Sequence, residues 1–472
     1  MKNTYFDLID QTYYFPALDF KLENNNLLFH GIPLMEVIEK FGTPLKLTYL
    51  PQFGHQINKA RKLFADAMQK VNYKGDYHYC YCTKSSHFSF VMNEVLKNGS
   101  HLETSSSYDM DIIARLYKQG RINKQTYIIC NGYKLPDYIR KIAGFINDGF
   151  ENIIPILDNL DELEQYSKYA TKPFQLGMRI ASEEEPNFAF YTSRLGIRYK
   201  DIVPYYEKNI AGNSRYKLKM LHFFINTGIK DDTYYWSELN KCVNVYCDLK
   251  KICPELDSLD IGGGFPVPDS LNFDYDYPYM ANEIIAGIKN ICDSQEVETP
   301  NIFTEFGTFT VAESAAALYS IVSEKQQNDA EKWFMIDSSI ITTLPDTWGI
   351  GQRFIMLAIN RWDKEYQKVN LGGLTCDSED YYNSEVHVNE VFLPKINHKE
   401  KLHIGFFHTG AYQEALGGYG GIQHCLIPTP KHILVNKNEK GEFTYEVFSG
   451  TQTAESMMKI LGYENGETKN EK

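Results

Sequence analysis

No stretch of this chain is apolar for long enough to cross a membrane, and its start, "MKNTYFDLIDQTYYFP", has no apolar core of the kind a secretory signal carries. Positive charge is in deficit: 48 lysines and arginines stand against 61 aspartates and glutamates, a net charge of −13. Nucleic acid and anionic membranes attract basic surfaces, so neither is an expected partner. Cysteine is sparse and odd in number, nine residues at 80, 82, 130, 242, 247, 253, 292, 376 and 425. Their irregular spacing offers neither a disulfide framework nor a zinc site, because no His or second Cys lies at ligand spacing from Cys376. No metal is therefore expected, and a reducing, cytoplasmic compartment is. Internal repeats, low-complexity linkers and a G-x-G-x-x-G dinucleotide fingerprint are also missing.

What is present is enough apolar material for two large cores: 43% apolar and 14% aromatic residues in a chain of 472. From about residue 45 to 310, short apolar runs alternate with helical periodicity. "ENIIPIL" reads as a strand and "NLDELEQYSKYA" as a helix, with Asn159 and Glu162 placed as a capping box. "FQLGMRIAS", "LKMLHFFI", "LDSLDIGGG" and "PNIFTEFG" continue the alternation. Repeated βα units of this extent fit a (β/α)8 TIM-type barrel over 45–312, with a doubly wound sheet as the alternative. After residue 312 the runs become β-rich and turn-separated, which predicts a β domain over 313–472. Strand-like pieces in 1–44 are expected to join it, and the polar tail "NGETKNEK" is expected to be disordered.

In a barrel, chemistry belongs at the C-terminal strand ends. "YHYCYCTKSSHF" puts Lys84 at one such end, where desolvation would favour a neutral, nucleophilic amine; a lysine that snorkels to solvent is the plainer reading. "LDIGGGF" supplies Gly262, Gly263 and Gly264, either an anion-binding turn or a tight strand-to-helix turn. "FTEFGTF" places Glu305 at a strand end, where a buried carboxylate needs a cationic or hydrogen-bonding partner. "LTCDSEDYY" sets Cys376 beside Asp377, either an acidic loop with an incidental cysteine or a proton donor next to a cation-binding carboxylate. "HTGAYQEALGGYGG" contains Tyr412, which has the chemistry to bond a phosphate.

Taken in order, these motifs resemble the fold type III pyridoxal-phosphate (PLP) decarboxylases, alanine-racemase-like barrels with a β domain that act on ornithine, diaminopimelate and arginine. "YCTK" is similar to their Schiff-base lysine segment, "DIGGG" to the phosphate loop, "TEFG" to the segment whose Glu meets the pyridine nitrogen, "TCDS" to the active-site cysteine loop and "GAY" to the phosphate-binding tyrosine. The likeness runs from "GTPL" at residue 42 to about 430. "ICNGYK", "TLPDTWGI", "LTCDS" and "GAYQEALG" are similar to segments of the biosynthetic arginine decarboxylases.

The resemblance implies PLP as cofactor, held by Lys84, Arg179, His222, Phe224, Thr227, Gly262, Gly263, Gly264, Glu305, Gly307, Thr308 and Tyr412. It implies catalysis by Lys84, Glu305 and Cys376, and a substrate contacted by Cys376, Asp377 and Asp346. The implied reaction is decarboxylation of a basic amino acid, arginine to agmatine above others, as a step of polyamine synthesis. A homodimer is implied, with Cys376 supplied by the second subunit. The alternatives are ornithine, lysine, diaminopimelate or carboxynorspermidine as substrate, racemisation on the same barrel, or a catalytically silent homologue that binds a partner protein. Two positions depart from the family pattern. "FINT" (224–227) stands where the family has H-x-G-S, and Thr308 replaces an arginine near the phosphate.

Overall fold

The structure, a computed structural model, describes residues 19–183, 193–386, 388–396 and 400–463. The start of the chain and the tail at 465–472 lie outside the described residues. Two compact units emerge. One comprises Phe53–Pro266 with Tyr275–Thr310, and the other the chain up to Gln52, Val267–Asp274 and the chain from Val311 onward.

The first unit is a closed barrel of eight parallel strands. They are β1 (Tyr77–Cys82), β2 (His101–Thr104), β3 (Ile128–Cys130), β4 (Ile153–Leu157), β5 (Phe174–Ile180), β6 (Tyr216–Phe223), β7 (Ser258–Asp260) and β8 (Asn301–Phe306). Each pairs with the next, and β8 closes on β1 with Glu305 opposite Cys80. All five residues of β4 are buried, as expected of a strand covered on one face by helices and on the other by the barrel interior. That interior is filled by Cys80, Ile129, Ile154, Ile156, Met220 and Phe303, so it is a packed core and not a pore.

The capping box expected at 159–162 does not form. The helix begins at Glu162 with Asp161 as an unbonded cap, and Asn159 Oδ1 accepts from the Asp161 N–H at 3.1 Å. Glu162 is instead buried, accepts from the Asp158 N–H at 3.0 Å and pairs with Lys134 at 2.9 Å. Lys134 also donates to the carbonyls of Gly132 and Ile156. "ICNGYK" therefore ends in a buried ion pair that ties the loop after β3 to β4. Lys134→Met is expected to lower stability by about 3–5 kcal/mol, since it strands a buried carboxylate. Adding Glu162→Leu should recover part of the loss, measured by urea melts of both variants.

The second unit is built on a ten-stranded sheet. Its long strand Ala315–Gln326 pairs antiparallel with Lys332–Ile336 and His403–Phe407. Its other neighbour is Leu45–Tyr49, a strand that the expected boundary at residue 45 assigns to the barrel. Leu45–Tyr49 pairs in turn, in parallel, with Lys431–Lys437. A fully buried run such as "LKLTY" suits either sheet, so its pattern could not place it. The preceding strands Phe20–Glu23, Asn26–Phe29 and Ile32–Pro33 form their own antiparallel meander. Asn24 and Asn25, both at positive φ, make its first turn, as a two-residue hairpin demands. The meander's Leu27, Phe29 and Ile32 share one core with Leu47, Leu318 and Phe406 of the large sheet.

Candidate active site

Lys84 lies in a single 3-10 turn, Thr83–Ser85, directly after β1. The turn's backbone is held at several points. Ser85 Oγ donates to the Cys82 carbonyl at 2.8 Å, Thr83 Oγ1 donates to Asp109 at 3.1 Å, and Tyr81 OH donates to the Ser86 carbonyl at 2.8 Å. The lysine side chain is 45% exposed, and its Nζ stands 3.7 Å from Oε2 of Glu103, a wholly buried residue of β2. Burial pushes the Glu103 carboxyl above its ordinary range, against the pull of Lys84.

Glu305, on β8, is 4% exposed and held on both oxygens. Asn131 Nδ2 donates to Oε1 at 2.7 Å, and His222 Nε2 lies 3.1 Å from Oε2. Burial alone would raise this carboxyl, but His222, Asp260 and Lys84 outweigh it and push it down to about 2. Asp260, at the end of β7, goes the other way. Burial and the Glu305 charge drive it well above the carboxylate range, while its Oδ1 accepts from the Gly262 N–H at 2.8 Å. Burial also lowers His222, so the ring is neutral and gives its Nε2–H to Glu305, since an imidazolium without water around it is costly. The barrel end thus holds one carboxyl pushed down, Glu305, beside two pushed up, Asp260 and Glu103. His222, Asp260 and Glu305 have ligand atoms within 4.8 Å of one another, a grouping that their own hydrogen bonds and shared proton account for.

The triple glycine is packed against this centre. A Cβ on Gly263 would come 2.1 Å from the Glu305 carbonyl, and Gly262, at φ +68°, would meet the Phe223 carbonyl at 2.8 Å. Glycine is thus required here by backbone contact, whatever the loop also binds. Gly307 sits against Cys82 and Ser85 of the Lys84 turn, and Thr308 opens the short helix Thr308–Val311 after it. Phe224 and Thr227 follow β6, and the Arg179 guanidinium lies 5.9 Å from the Phe224 ring. Eleven of the expected cofactor residues therefore gather at or just beyond the C-terminal strand ends: Lys84, Arg179, His222, Phe224, Thr227, Gly262, Gly263, Gly264, Glu305, Gly307 and Thr308. Thr227 Oγ1, Asn131 Oδ1 and His222 Nδ1 are buried polar atoms with no hydrogen-bond partner among the described residues. The Thr227 hydroxyl can donate to an anionic group, and Glu305, held low, can accept from a protonated ring nitrogen, so these residues suit PLP.

Glu103, Asn131 and Asp260 were not singled out by the sequence, although Asn131 lies in "ICNGYK" and Asp260 in "DIGGG". The available signal for both acids was a carboxylate next to leucine in a short strand, "HLET" and "SLD".

Cys376, Asp377, Asp346 and Tyr412 belong to the second unit. Cys376 and Asp377 are exposed. Asp346 is nearly buried and spends Oδ2 on Gln413 Nε2 at 2.7 Å, which joins "TLPDTWGI" to "GAYQEALG". Tyr412, at φ +66°, precedes the helical turn Gln413–Leu416. The loop of Cys376 is anchored by Asp380. Its Oδ2 accepts from Thr375 N and Oγ1, and its Oδ1 from Ile340 N and Ile341 N. Contrary to the expectation of no ligand partner for Cys376, Cys425 Sγ lies 3.4 Å from its Sγ, with His424 adjacent. Residues 49 apart in sequence make this grouping, which local spacing does not reveal.

Comparison with known proteins matches residues 55–312 to the family described as "Pyridoxal-dependent decarboxylase, pyridoxal binding domain". The biosynthetic arginine decarboxylase of Geotalea uraniireducens is 24% identical, over 93% of this chain and 87% of that protein. Among solved structures, the biosynthetic arginine decarboxylase from Campylobacter jejuni has a TM-score of 0.79 at 20% identity, covering 97% of this chain and 90% of its own. A diaminopimelate decarboxylase from M. jannaschi has a TM-score of 0.76 at 16% identity, over 95% and 98% of the two chains.

Proposed function

The chain belongs to the pyridoxal-dependent decarboxylases, and from that membership we propose that it converts L-arginine to agmatine and CO2. One observation carries the chemistry: an ionised Glu305, fixed between Asn131 and His222, at the barrel end that also presents Lys84. The substrate rests on "TLPDTWGI", "LTCDS" and "GAYQEALG", and on relatives along nearly the whole chain that bear the arginine decarboxylase name. When bound, PLP supplies a ring that accepts the electron pair left as the carboxylate departs. Lys84 holds the cofactor through its amine. Glu305 keeps a proton on the ring nitrogen, and the neutral His222 and Asn131 keep Glu305 in place. Thr227 Oγ1, the 262–264 turn, Gly307 and Thr308 would serve the phosphate, with Phe224 and Arg179 available to the ring.

Cys376, from the partner subunit, gives its Sγ proton to the substrate α-carbon. Asp377 pairs with the distal guanidinium, for which a charge-assisted bond is worth about 1.5–3 kcal/mol. Asp380 positions both by anchoring Thr375. Asp380→Ala is therefore expected to cut kcat by about tenfold or more and leave the cofactor's visible absorbance intact. Steady-state kinetics beside that spectrum check it, and an unchanged kcat sinks the role.

A homodimer completes the site. Trp348, Ile350, Leu374, Leu416 and Leu426 are exposed, on elements linked by the Gln413–Asp346 and Cys376–Cys425 contacts. Exposed apolar side chains so grouped mark an interface. Trp348→Asp should yield monomers by light scattering with most activity lost; a dimer that persists would move the interface elsewhere. The cytoplasm is the proposed compartment, since the cysteines are free thiols and no described helix is long and apolar enough to cross a membrane. The deciding assay offers arginine, ornithine, lysine and diaminopimelate to purified enzyme and reads CO2 and product amine. Agmatine should dominate, and release from another acid alone would replace the assignment.

A further inference from the structure

The grouping at Cys376 has ligand chemistry of its own. Cys376 Sγ and Cys425 Sγ are 3.4 Å apart, and a ring nitrogen of His424 lies within 4.8 Å of both. His424 Nε2 is also 3.9 Å from Asp377 Oδ2. Two thiolates on one tetrahedral zinc, each at about 2.3 Å, stand about 3.8 Å apart. A disulfide would need about 2.05 Å. The observed separation is thus a few tenths of an ångström from the metal-bridged geometry and far from the covalent one. The three side chains are exposed on the single chain.

We propose that Cys376, His424 and Cys425, with Asp377 in the fourth position, bind a thiophilic divalent cation of the zinc class. Each thiol releases its proton to solvent, and each sulfur lone pair goes to the cation; nothing is oxidised. The consequence rests on the functional reading above. With Cys376 deprotonated and Asp377 engaged, the proton donor and the guanidinium anchor are both withdrawn, so the cation inhibits reversibly.

The test uses full-length holoenzyme, freed of metal and kept reduced with a phosphine. Cobalt(II) is titrated in, and the thiolate-to-cobalt charge-transfer and tetrahedral d–d bands are followed. One cobalt per chain, displaced by zinc, is expected. Cys425→Ala and His424→Ala should each weaken binding by at least about tenfold, no less than the loss of a supporting contact costs, and leave the metal-free turnover rate unchanged. Zinc should inhibit the parent, a chelator should restore it, and Cys425→Ala should resist. Absent cobalt bands in the parent, or unchanged bands in Cys425→Ala, overturn the site. The bands are read independently of turnover. An enzyme inactive on arginine that shows them loses only the functional reading, and an active one without them loses only the metal site.

Discussion

Lys84→Ala protein is expected to fold as the parent does, yet develop no visible band with PLP and lose arginine decarboxylation by a factor on the order of 10³ or more. Folding should survive because the turn does not depend on the lysine side chain, which is 45% exposed. Its geometry is kept by Ser85 Oγ on the Cys82 carbonyl, by Thr83 on Asp109, and by Gly307 packed against Cys82. The remaining ambiguity is electrostatic, because Lys84 also supplies positive charge to Glu103 and Glu305. Lys84→Arg separates the two roles. Arginine preserves a cation near Glu103 but does not lose its proton in a protein, and so cannot serve as a nucleophilic amine. Both variants should therefore lack the band and the activity, while only the alanine disturbs the carboxylates. Circular dichroism establishes the fold and absorbance the cofactor. A band that survives in either variant would refute the assignment of Lys84.

The barrel was legible because a parallel sheet buried on both faces imposes continuous apolar runs, and "ENIIPIL" and "PNIFTEFG" sit where that rule puts them. Strand ends were legible for the same reason, and with them Lys84, Glu305 and the glycine turn. The domain boundary was less so. Leu45–Tyr49 carries the same buried texture as a barrel strand, and only its partners, Ala315–Leu318 and Lys431–Val435, distinguish it. Helix starts failed where tertiary contacts outbid local capping, as when Glu162 turned to Lys134. The glycine turn was read for its N–H groups, whereas the crowding of Gly263 on the Glu305 carbonyl is a non-local fact. Cys425 escaped notice because its relation to Cys376 exists only in three dimensions. Each miss is of one kind: a contact between distant segments decided what a local pattern left open.

Glu305→Gln is the second large effect expected. The amide keeps an oxygen to accept from Asn131, but it offers an N–H2 where the carboxylate took the His222 Nε2–H, so His222 must adopt its other tautomer. More consequential is the charge. A neutral amide cannot hold a proton on the ring nitrogen, and loss of that assistance is expected to lower kcat by roughly 10²–10⁴-fold. Lys84 is untouched, so the visible band should remain with a shifted maximum. The same substitution has a signature in stability. Glu305 is pushed from the ordinary 4.5 down to about 2, so its ionised form stabilises the fold above the unfolded value, and that contribution fades as pH falls from about 4.5 towards 2. The stability gap between parent and variant should then be widest near neutral pH and narrow in acid, measured by urea melts at stepped pH. A variant that keeps parental kcat would mean that some other group protonates the ring, and the cage of Asn131 and His222 around Glu305 would need another purpose.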